Sequence, residues 1–154
     1  MLPLVAETKS AFIIVHKQGT PRTMQIEPRY ADIVAEISEF FRQQYACAIG
    51  LNIDPMAIAF DPGIGFGKTL EHNLEVLAQL EQLRAHDRAL VVGVSRKSFL
   101  GRLIGSPEVR NRLIPGVALT SLLRARGADV FRVHDVRENV YALQVTEAIL
   151  QRAK

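Results

Sequence analysis

The chain has 154 residues, 48% of them hydrophobic and 23% charged, which is the size and composition of one globular domain with a core of its own. Its formal charge of +3 is spread among acidic residues, which argues against a nucleic-acid-binding protein. One cysteine, Cys47, excludes a disulfide within the chain, and no apolar run reaches the ~20 residues that cross a bilayer. We therefore expect a single cytoplasmic domain over residues 1–154, with no membrane partner.

Short apolar segments alternate with longer segments of helical periodicity, a pattern typical of strand–helix units around a parallel sheet. After a helix over residues 2–9, the predicted order is strand 12–15, helix 28–49, strand 57–60, helix 70–85, strand 90–94, helix 108–126, strand 129–133 and helix 138–153. The region 108–126 contains Pro115-Gly116, which must bend this helix or begin a new one.

Four strand–helix units are half of an eightfold barrel, which takes ~250 residues. We therefore predict an α/β fold of the (βα)8 TIM-barrel family, with this chain covering about four βα units. An open sheet of this kind leaves the backbone of both edge strands unpaired. Because the chain also starts inside a helix, we expect it to associate either with a missing half or with a second copy of itself.

The segment DPGIGFGKT, residues 61–69, resembles a nucleotide-binding loop because it combines three glycines with Lys68 and Thr69. A Walker loop needs a glycine where this chain has Pro62, and proline lacks the N–H and the freedom in φ that a phosphate cradle uses. The dinucleotide pattern Gly-x-Gly-x-x-Gly fails as well. We interpret the glycines as permitting a flat ligand to approach the backbone, with Phe66 packing either on that ligand or in the core.

Polar side chains follow every predicted strand, at the end where functional groups gather in parallel α/β folds. Asp61 follows the second strand and either binds two N–H donors of a guanidine-like ring edge or caps the turn after it. Arg96 and Lys97 follow the third strand and are either a site for an anion or carbonyl oxygen or a solvated pair of charges. For His16, after the first strand, neither a functional nor a structural role is favoured.

Arg132 and His134 lie at the end of the fourth predicted strand. Side chains two residues apart on a strand point to the same face, so we expect the guanidinium and the imidazole to lie side by side and to bind a pyrophosphate. No two histidines or carboxylates have the spacing of metal ligands, so the residues themselves predict no metal site.

The motifs VHKQGTPRTMQ, DPGIGFGK, GVSRKSFLG and RVHDV, in this order and at these strand ends, resemble those of the dihydropteroate synthases. The resemblance covers essentially the whole chain and corresponds to the C-terminal half of that family's barrel. It implies a transferase of folate biosynthesis that joins 6-hydroxymethyl-7,8-dihydropterin pyrophosphate to para-aminobenzoate and releases pyrophosphate, with sulfonamides competing for the aminobenzoate site. It also implies Mg²⁺ as a cofactor and a homodimer formed through the outer helices.

The resemblance implies that nine positions bind substrate: Val15, Asp61, Gly65, Phe66, Gly93, Lys97, Ser98, Arg132 and His134. Asp61 would hold the edge of the pterin ring, and Gly93 would lie against that ring. Lys97 would bond the pterin and cover the aminobenzoate pocket. Phe66 would line this pocket, and Ser98 would meet the aminobenzoate carboxylate.

The catalytic set implied by the resemblance is Lys97, Arg132 and His134. Arg132 and His134 would hold the negative charge of the departing pyrophosphate, so no general base of matched pKa is required. The chain departs from the family pattern at its first strand end, where members usually show Met-His-Met. Val15 keeps the apolar contact to the pterin, and Lys17 has no assigned role.

The family's magnesium-binding asparagine, its first two flexible loops and further pterin-binding residues belong to earlier strands that are outside these 154 residues. Two hypotheses follow. In the first, the chain is the C-terminal half of a dihydropteroate synthase. In the second, it is a catalytically incomplete half-barrel that associates with itself and at most binds pterin. A third, a pterin-binding domain of methyltransferases, is disfavoured by the SRKS and RVHD motifs.

Overall fold

A computed structural model of the chain describes residues 1–20, 22, 24 and 26–152. Its centre is a sheet of four parallel strands in the order β1-β2-β3-β4: β1 Phe12–Val15, β2 Ile58–Asp61, β3 Ala89–Val92 and β4 Val130–Phe131. Each strand lies beside its neighbour in sequence, as in a barrel, whereas the strand order of a doubly wound sheet reverses at a switch point. The predicted α/β fold of strand–helix units is confirmed.

Within the described residues, six α-helices accompany the strands: α1 Leu2–Thr8, α2 Ile33–Gly50, α3 Leu70–Ala78, α4 Ser98–Leu103, α5 Leu113–Ala125 and α6 Val136–Leu150. Short 3-10 helices lie at Pro55–Ala57, Leu80–Leu83 and Val109–Arg112. Helix α2 begins where Asp32 accepts a hydrogen bond from the Ala35 N–H at 2.9 Å, and α3 where Thr69 and His72 form a capping box. None of the helices in the described ranges has the length and apolarity to cross a membrane.

The helices predicted over 28–49 and 70–85 each differ from the observed helix by several residues at one end. The helix predicted over 28–49 begins at Ile33, because Asp32 adopts an extended conformation and caps it. The helix predicted over 70–85 ends at Ala78 and is followed by a 3-10 turn. Such ends are set by caps and turns, which hydrophobic periodicity does not report.

The region 108–126 takes the second of its two predicted forms, a new helix around the proline. Pro115 is the third residue of α5, where its missing N–H breaks no helical hydrogen bond. The last predicted helix, 138–153, is observed as far as Leu150. Ala153, its predicted final residue, is outside the described residues.

The fourth strand is the departure from the sequence prediction that matters most for the site. It was predicted over 129–133, but the strand itself is Val130–Phe131. The Arg132 N–H still donates to the Val92 carbonyl at 3.0 Å, and the chain then leaves the sheet. Arg132 and His134 therefore do not alternate along a strand, and the expectation that strand geometry aligns their side chains is wrong.

The core lies between one face of the sheet and the helices. The strand register pairs Ile14 with Phe60 and Phe60 with Leu90, so buried residues of adjacent strands share this face. Phe41 of α2 packs on Phe60, with ring centroids 4.6 Å apart. This packing fixes the strands against α2 and thereby fixes the positions of the strand ends.

The opposite face of the sheet is apolar and accessible. Ile13, Val15 and Val130 are 47%, 42% and 46% exposed on it, whereas residues of parallel strands are usually buried on both faces. The sheet thus has one packed face and one face that is exposed along the outer strands β1 and β4, whereas Val91 of β3 on that face is buried.

Candidate active site

The carboxyl ends of the strands meet at one edge of the sheet. Val15 at the end of β1 lies opposite Asp61 at the end of β2, and Val92 at the end of β3 lies opposite Phe131 of β4. Arg132 follows directly after Phe131. The register therefore brings Val15, Asp61 and Arg132 to one rim, although they are far apart in sequence.

Asp61 is the buried carboxylate of this rim, with 2% of its surface exposed. Its Oδ1 accepts a hydrogen bond from the Gly63 N–H at 2.7 Å, which confirms that it caps the turn. Its Oδ2 lies 3.9 Å from Arg132 Nη2 and is the oxygen that remains for a ligand. Burial raises the pKa of this carboxyl, while the Gly63 N–H and three nearby cations act in the opposite direction. These cations are Lys97, Arg132 and Lys68.

The glycines of the loop 61–69 bring its backbone against the chain that follows β1. Gly63 and Gly67 have φ of +67° and +62°, a region that glycine adopts without strain. A Cβ at these positions would lie 1.8 Å from the His16 carbonyl oxygen and 2.5 Å from the Gln18 carbonyl oxygen, respectively. These two glycines therefore admit the protein's own backbone. Three residues of the motif after β1 are outside the described residues: Pro21, Thr23 and Gln25.

Lys68, which sequence reasoning considered only as part of a nucleotide loop, is buried beneath this loop and is 3% exposed. Its Nζ lies 3.0 Å from His16 Nδ1. The same Nζ donates to the carbonyl oxygens of Gly63 at 3.1 Å and Phe66 at 3.2 Å. Burial lowers the pKa of Lys68 to about 7, against the opposing effect of Asp61. Burial, and then the charge of Lys68, lower the pKa of His16 to about 4.

Lys97 contacts the same loop. It is the N-cap residue of α4, and its Nζ donates to the Ile64 carbonyl and lies 4.6 Å from the centroid of the Phe66 ring. A Cβ on Gly65 would come within 3.2 Å of the Lys97 side chain, so the lysine extends along this glycine. Burial lowers the pKa of Lys97 to about 8, against the Asp61 carboxylate, which raises it. Phe66 is not part of the core cluster; its ring supports the ammonium.

Arg132 reaches across the sheet edge, over Gly93 at the end of β3. A Cβ on Gly93 would lie 2.8 Å from Arg132 Nη2, so the absence of a side chain leaves this path open to the guanidinium. The Arg132 side chain is 60% exposed and turned toward Asp61, which leaves it surface for a ligand. His134 is held by Ser95. Its backbone N–H donates to Ser95 Oγ at 3.2 Å, and its ring Nδ1 lies 3.1 Å from the same oxygen.

An open cavity of about 470 Å³ lies between the ends of β3 and β4, and Lys97, Arg132 and His134 line it. The structure separates the two basic residues that follow β3. Lys97 is directed into the site, whereas Arg96 pairs with Asp135, its Nε donating to Oδ2 at 3.1 Å. Arg96 also lines this cavity, so its role as a binding residue stays a prediction.

The remaining predicted site residues lie at the margins of this rim. Ser98 is the exposed first residue of α4, and with Gly65 it lines a void of about 30 Å³. Val15 is 42% exposed on the open face of the sheet. Lys17 is exposed, and nothing in the structure explains its charge.

Sequence reasoning missed three polar residues that hold the site: Lys68, Asn73 and Ser95. Asn73 is 2% exposed, and its Oδ1 accepts the Gly65 N–H at 2.6 Å. Ser95 contacts His134 as described. Ser95 and Asn73 lie within a few residues of a strand end and of the glycine-rich loop, where polar side chains satisfy free backbone groups, and that position was the available signal for them.

The residues present do not fit a magnesium site. Across the described ranges, no group of three or more His, Cys, Asp or Glu side chains could hold a metal ion. Asp61, the central carboxylate, bonds the Gly63 N–H through Oδ1 and faces the Arg132 guanidinium through Oδ2, whereas Mg²⁺ is held by several oxygen ligands. The Mg²⁺ implied by the resemblance thus finds no ligand set among these side chains.

The site combines one acceptor with an excess of positive charge. Asp61 offers Oδ2 to an N–H donor, and Lys68, Lys97 and Arg132 surround it. A partly buried cluster of this sign attracts an anionic ligand. The rim can therefore hold a molecule that has N–H donors at one end and negative charge at the other.

A parallel strand–helix sheet with such a cluster at its carboxyl edge is the arrangement of barrel-type α/β enzymes. The profile of the family described as pterin binding enzyme matches residues 1–134, and the chain belongs to this family. The chain is similar to the dihydropteroate synthase of Escherichia coli K12, with 40% identity over 151 residues, which are 97% of this chain and 52% of that protein. The resemblance inferred from the four motifs is confirmed.

Solved structures show the same relationship. One, of Yersinia pestis dihydropteroate synthase with a sulfonamide drug, superposes with a TM-score of 0.94 at 38% identity, covering 99% of this chain and 55% of that chain. Another, of Xanthomonas albilineans dihydropteroate synthase in complex with 7,8-dihydropteroate, gives a TM-score of 0.89 at 34% identity, covering 97% and 54%. The chain thus spans about half the length of the relatives it matches.

Proposed function

We propose that this chain supplies the C-terminal half of a dihydropteroate synthase site, which joins 6-hydroxymethyl-7,8-dihydropterin pyrophosphate to para-aminobenzoate and releases pyrophosphate. The observation that carries this proposal is the convergence of Asp61, Lys97 and Arg132 on one rim, with Arg132 Nη2 3.9 Å from Asp61 Oδ2. The solved relatives were crystallised with a sulfonamide drug and with 7,8-dihydropteroate, which supports pterin and arylamine as the substrate classes.

The pterin end of the substrate would be held by Asp61. Its Oδ1 is fixed by the Gly63 N–H at 2.7 Å, so Oδ2 is held ready to accept an N–H from the ring edge. Lys97 would donate to a ring carbonyl or nitrogen, since its Nζ lies at the same rim. Gly93 would lie against the ring beside the Arg132 guanidinium, and Val15 would contact that ring with an apolar side chain.

The pyrophosphate end would lie in the cavity of about 470 Å³. In the reaction, the bond between the pterin methylene carbon and the pyrophosphate oxygen breaks, and pyrophosphate leaves with the electron pair. The exposed guanidinium of Arg132 and the imidazole of His134 would stabilise the charge that develops on this leaving group. Lys97, at the edge of the same cavity, would add a hydrogen-bond donor there.

The amine of para-aminobenzoate then attacks the methylene carbon, and its proton passes to solvent or to the released pyrophosphate. Phe66 and Gly65 would line the place of the aromatic ring, beneath the Lys97 ammonium, which lies 4.6 Å from the Phe66 centroid. Ser98, exposed at the start of α4, would meet the carboxylate.

A second candidate function is a catalytically incomplete half-barrel that associates with itself and at most binds pterin. The open apolar face of the sheet favours it, because Ile13, Val15 and Val130 are 42% to 47% exposed. This face and the outer strands β1 and β4 suit either a second copy of the chain or the N-terminal half of a relative. In both cases we place the protein in the cytoplasm, where the free Cys47 stays reduced.

The two candidates are separated by an assay of pyrophosphate release. The chain would be mixed with both substrates and Mg²⁺, alone and with the N-terminal half of the Escherichia coli relative, and complex formation would be followed by size-exclusion chromatography. We expect release only from the complex, and expect Arg132→Met to abolish it. A complex that forms but releases no pyrophosphate contradicts the transferase, and turnover by the chain alone contradicts the incomplete half-barrel.

A further inference from the structure

The chemistry proposed above gives no task to Lys68, although its buried ammonium lies at the centre of the site. We propose that Lys68, with His16 as its acceptor, is a positioning residue that fixes the loop 61–69 in the conformation that presents Asp61 and Phe66 to the ligand. This inference rests on the proposed function, since the ligand concerned is the pterin.

The hydrogen bonds of Lys68 use its full donor capacity. An ammonium has three N–H donors and no acceptor, and three acceptors lie within reach: His16 Nδ1 at 3.0 Å, Gly63 O at 3.1 Å and Phe66 O at 3.2 Å. His16 must therefore accept at Nδ1 and carry its proton on Nε2. A buried ammonium is costly unless it is paired and hydrogen-bonded, and here each donor has its partner.

The two carbonyl acceptors connect Lys68 to the parts of the loop that face the ligand. Gly63 is held from both sides, because its N–H bonds Asp61 Oδ1 at 2.7 Å and its carbonyl accepts from Lys68. Phe66 carries the ring beneath the Lys97 ammonium. Lys68 thus fixes Gly63, which orients the Asp61 carboxylate, and Phe66, which supports Lys97.

The third acceptor anchors the loop to the core of the protein. The His16 N–H donates to the Asp61 carbonyl at 2.9 Å, which continues the pairing of β1 with β2. The His16 ring packs edge-on against Phe40 of α2, with centroids 5.1 Å apart, and is 7% exposed. Packing against α2 holds this imidazole in place. The hydrogen bond from Lys68 to the imidazole therefore restrains the loop 61–69, whose three glycines would otherwise make it flexible.

The pKa of Lys68 depends on burial and on charged groups of the neighbouring elements. Burial lowers its pKa to about 7, Asp61 on β2 acts against this effect, and Lys97 before α4 adds to it. His16, after β1, contributes a neutral imidazole, and Arg132, after β4, faces Asp61. Above this pKa one of the three donors is lost, so the loop is held less firmly as the pH rises.

Three variants test the role of Lys68 with pterin itself as the probe, followed by its fluorescence. Lys68→Met keeps the length of the side chain and removes every donor, and His16→Leu removes one acceptor. His16→Asn is the matched control, since an amide oxygen can take the place of Nδ1. At pH ~6.5 we expect the first two to weaken pterin binding roughly tenfold or more and His16→Asn to bind within about threefold of the parent.

Hydrogen exchange followed by mass spectrometry gives a readout that needs no ligand. We expect Lys68→Met and His16→Leu to accelerate amide exchange in the loop 61–69 but not in α5, and His16→Asn to exchange as the parent does. Exchange that rises equally throughout the chain assigns Lys68 to general stability and overturns the positioning role. Parent-like exchange and affinity in Lys68→Met overturn it as well.

The same experiments distinguish this inference from the proposed function. A parent chain that binds no pterin contradicts the proposed function, while the exchange rates still decide whether Lys68 holds the loop. The pH profile gives a further check. Between pH ~6 and ~8 the ratio of the parent's affinity to that of Lys68→Met should fall, and a constant ratio contradicts a role for the ammonium.

Discussion

Arg132 reaches Asp61 across the end of an intervening strand: its Nη2 lies 3.9 Å from Asp61 Oδ2, although β3 separates β2 from β4. This distance is longer than a direct hydrogen bond, so the pair leaves both groups available to a ligand. Gly93 makes the arrangement possible, because a Cβ there would meet the guanidinium at 2.8 Å. The Asp61 carboxylate, the Arg132 guanidinium and Gly93 between them form one unit.

Gly93→Ala tests this unit. The added methyl would displace the Arg132 guanidinium, which is the far end of a flexible side chain, so the fold should tolerate the change. We expect pyrophosphate affinity, measured by isothermal titration calorimetry, to fall roughly three- to tenfold, equivalent to about 1 kcal/mol. The melting temperature should stay within about 4 °C of the parent value.

Gly50→Ala is the matched control, since a Cβ there meets nothing within 4 Å. It should leave pyrophosphate binding unchanged. If Gly93→Ala binds pyrophosphate as the parent does, pyrophosphate binding by Arg132 does not require the space that Gly93 leaves for its guanidinium.

Lys97 should titrate near neutral pH. Burial lowers its pKa to about 8, and the Asp61 carboxylate opposes that effect, so Asp61→Asn should lower the pKa of Lys97 further. The pH dependence of acetylation of Lys97, read by mass spectrometry, measures this, with the exposed Lys17 as a reference for the reagent. If Asp61→Asn does not change the pH dependence of Lys97 acetylation, the two groups do not interact.

His16 should make folding sensitive to mild acid. Its pKa falls from the ordinary 6.5 to about 4 in the folded protein, so between these values the unfolded chain binds more protons than the folded one. The stability contributed by the neutral imidazole is complete above about 6.5 and is lost as the pH falls toward about 4. From pH ~6.5 to ~4.5 this amounts to about 2 kcal/mol.

His16→Asn has no ring to titrate and should lose this part of the pH dependence. Urea unfolding at pH ~6.5 and ~4.5 measures the free energy of unfolding for both proteins. The parent should lose about 2 kcal/mol more than the variant over this interval. Equal losses would mean that the His16 ring is already accessible to protons in the folded state.

Strand–helix alternation predicted the topology, because a buried parallel strand leaves a short apolar run that periodicity detects. The first strand, 12–15, agrees residue for residue with the structure. The fourth was overestimated because Arg132 continues the ladder by one hydrogen bond and Val133 is apolar. The sequence pattern does not report where a chain leaves a sheet.

The site was only partly predictable for a physical reason. Asp61, Lys97 and Arg132 could be placed on one rim because parallel strands end at one edge. The buried pair of Lys68 and His16 could not, since a sequence does not show that a lysine folds back beneath its own loop. That contact depends on Gly63 and Gly67, whose conformations bring the loop onto the chain after β1.

The most direct test of the account is a fluorescence titration of pterin against the parent chain, Asp61→Asn and the control Asp87→Asn. Asp87 is exposed and lies at the opposite end of β3 from the site, and its φ of +54° suits asparagine. We predict saturable binding of one pterin to the parent and to Asp87→Asn, and affinity roughly ten- to a hundredfold lower for Asp61→Asn. Equal affinity in all three proteins, or no saturable binding to the parent, would contradict a pterin site at the strand ends.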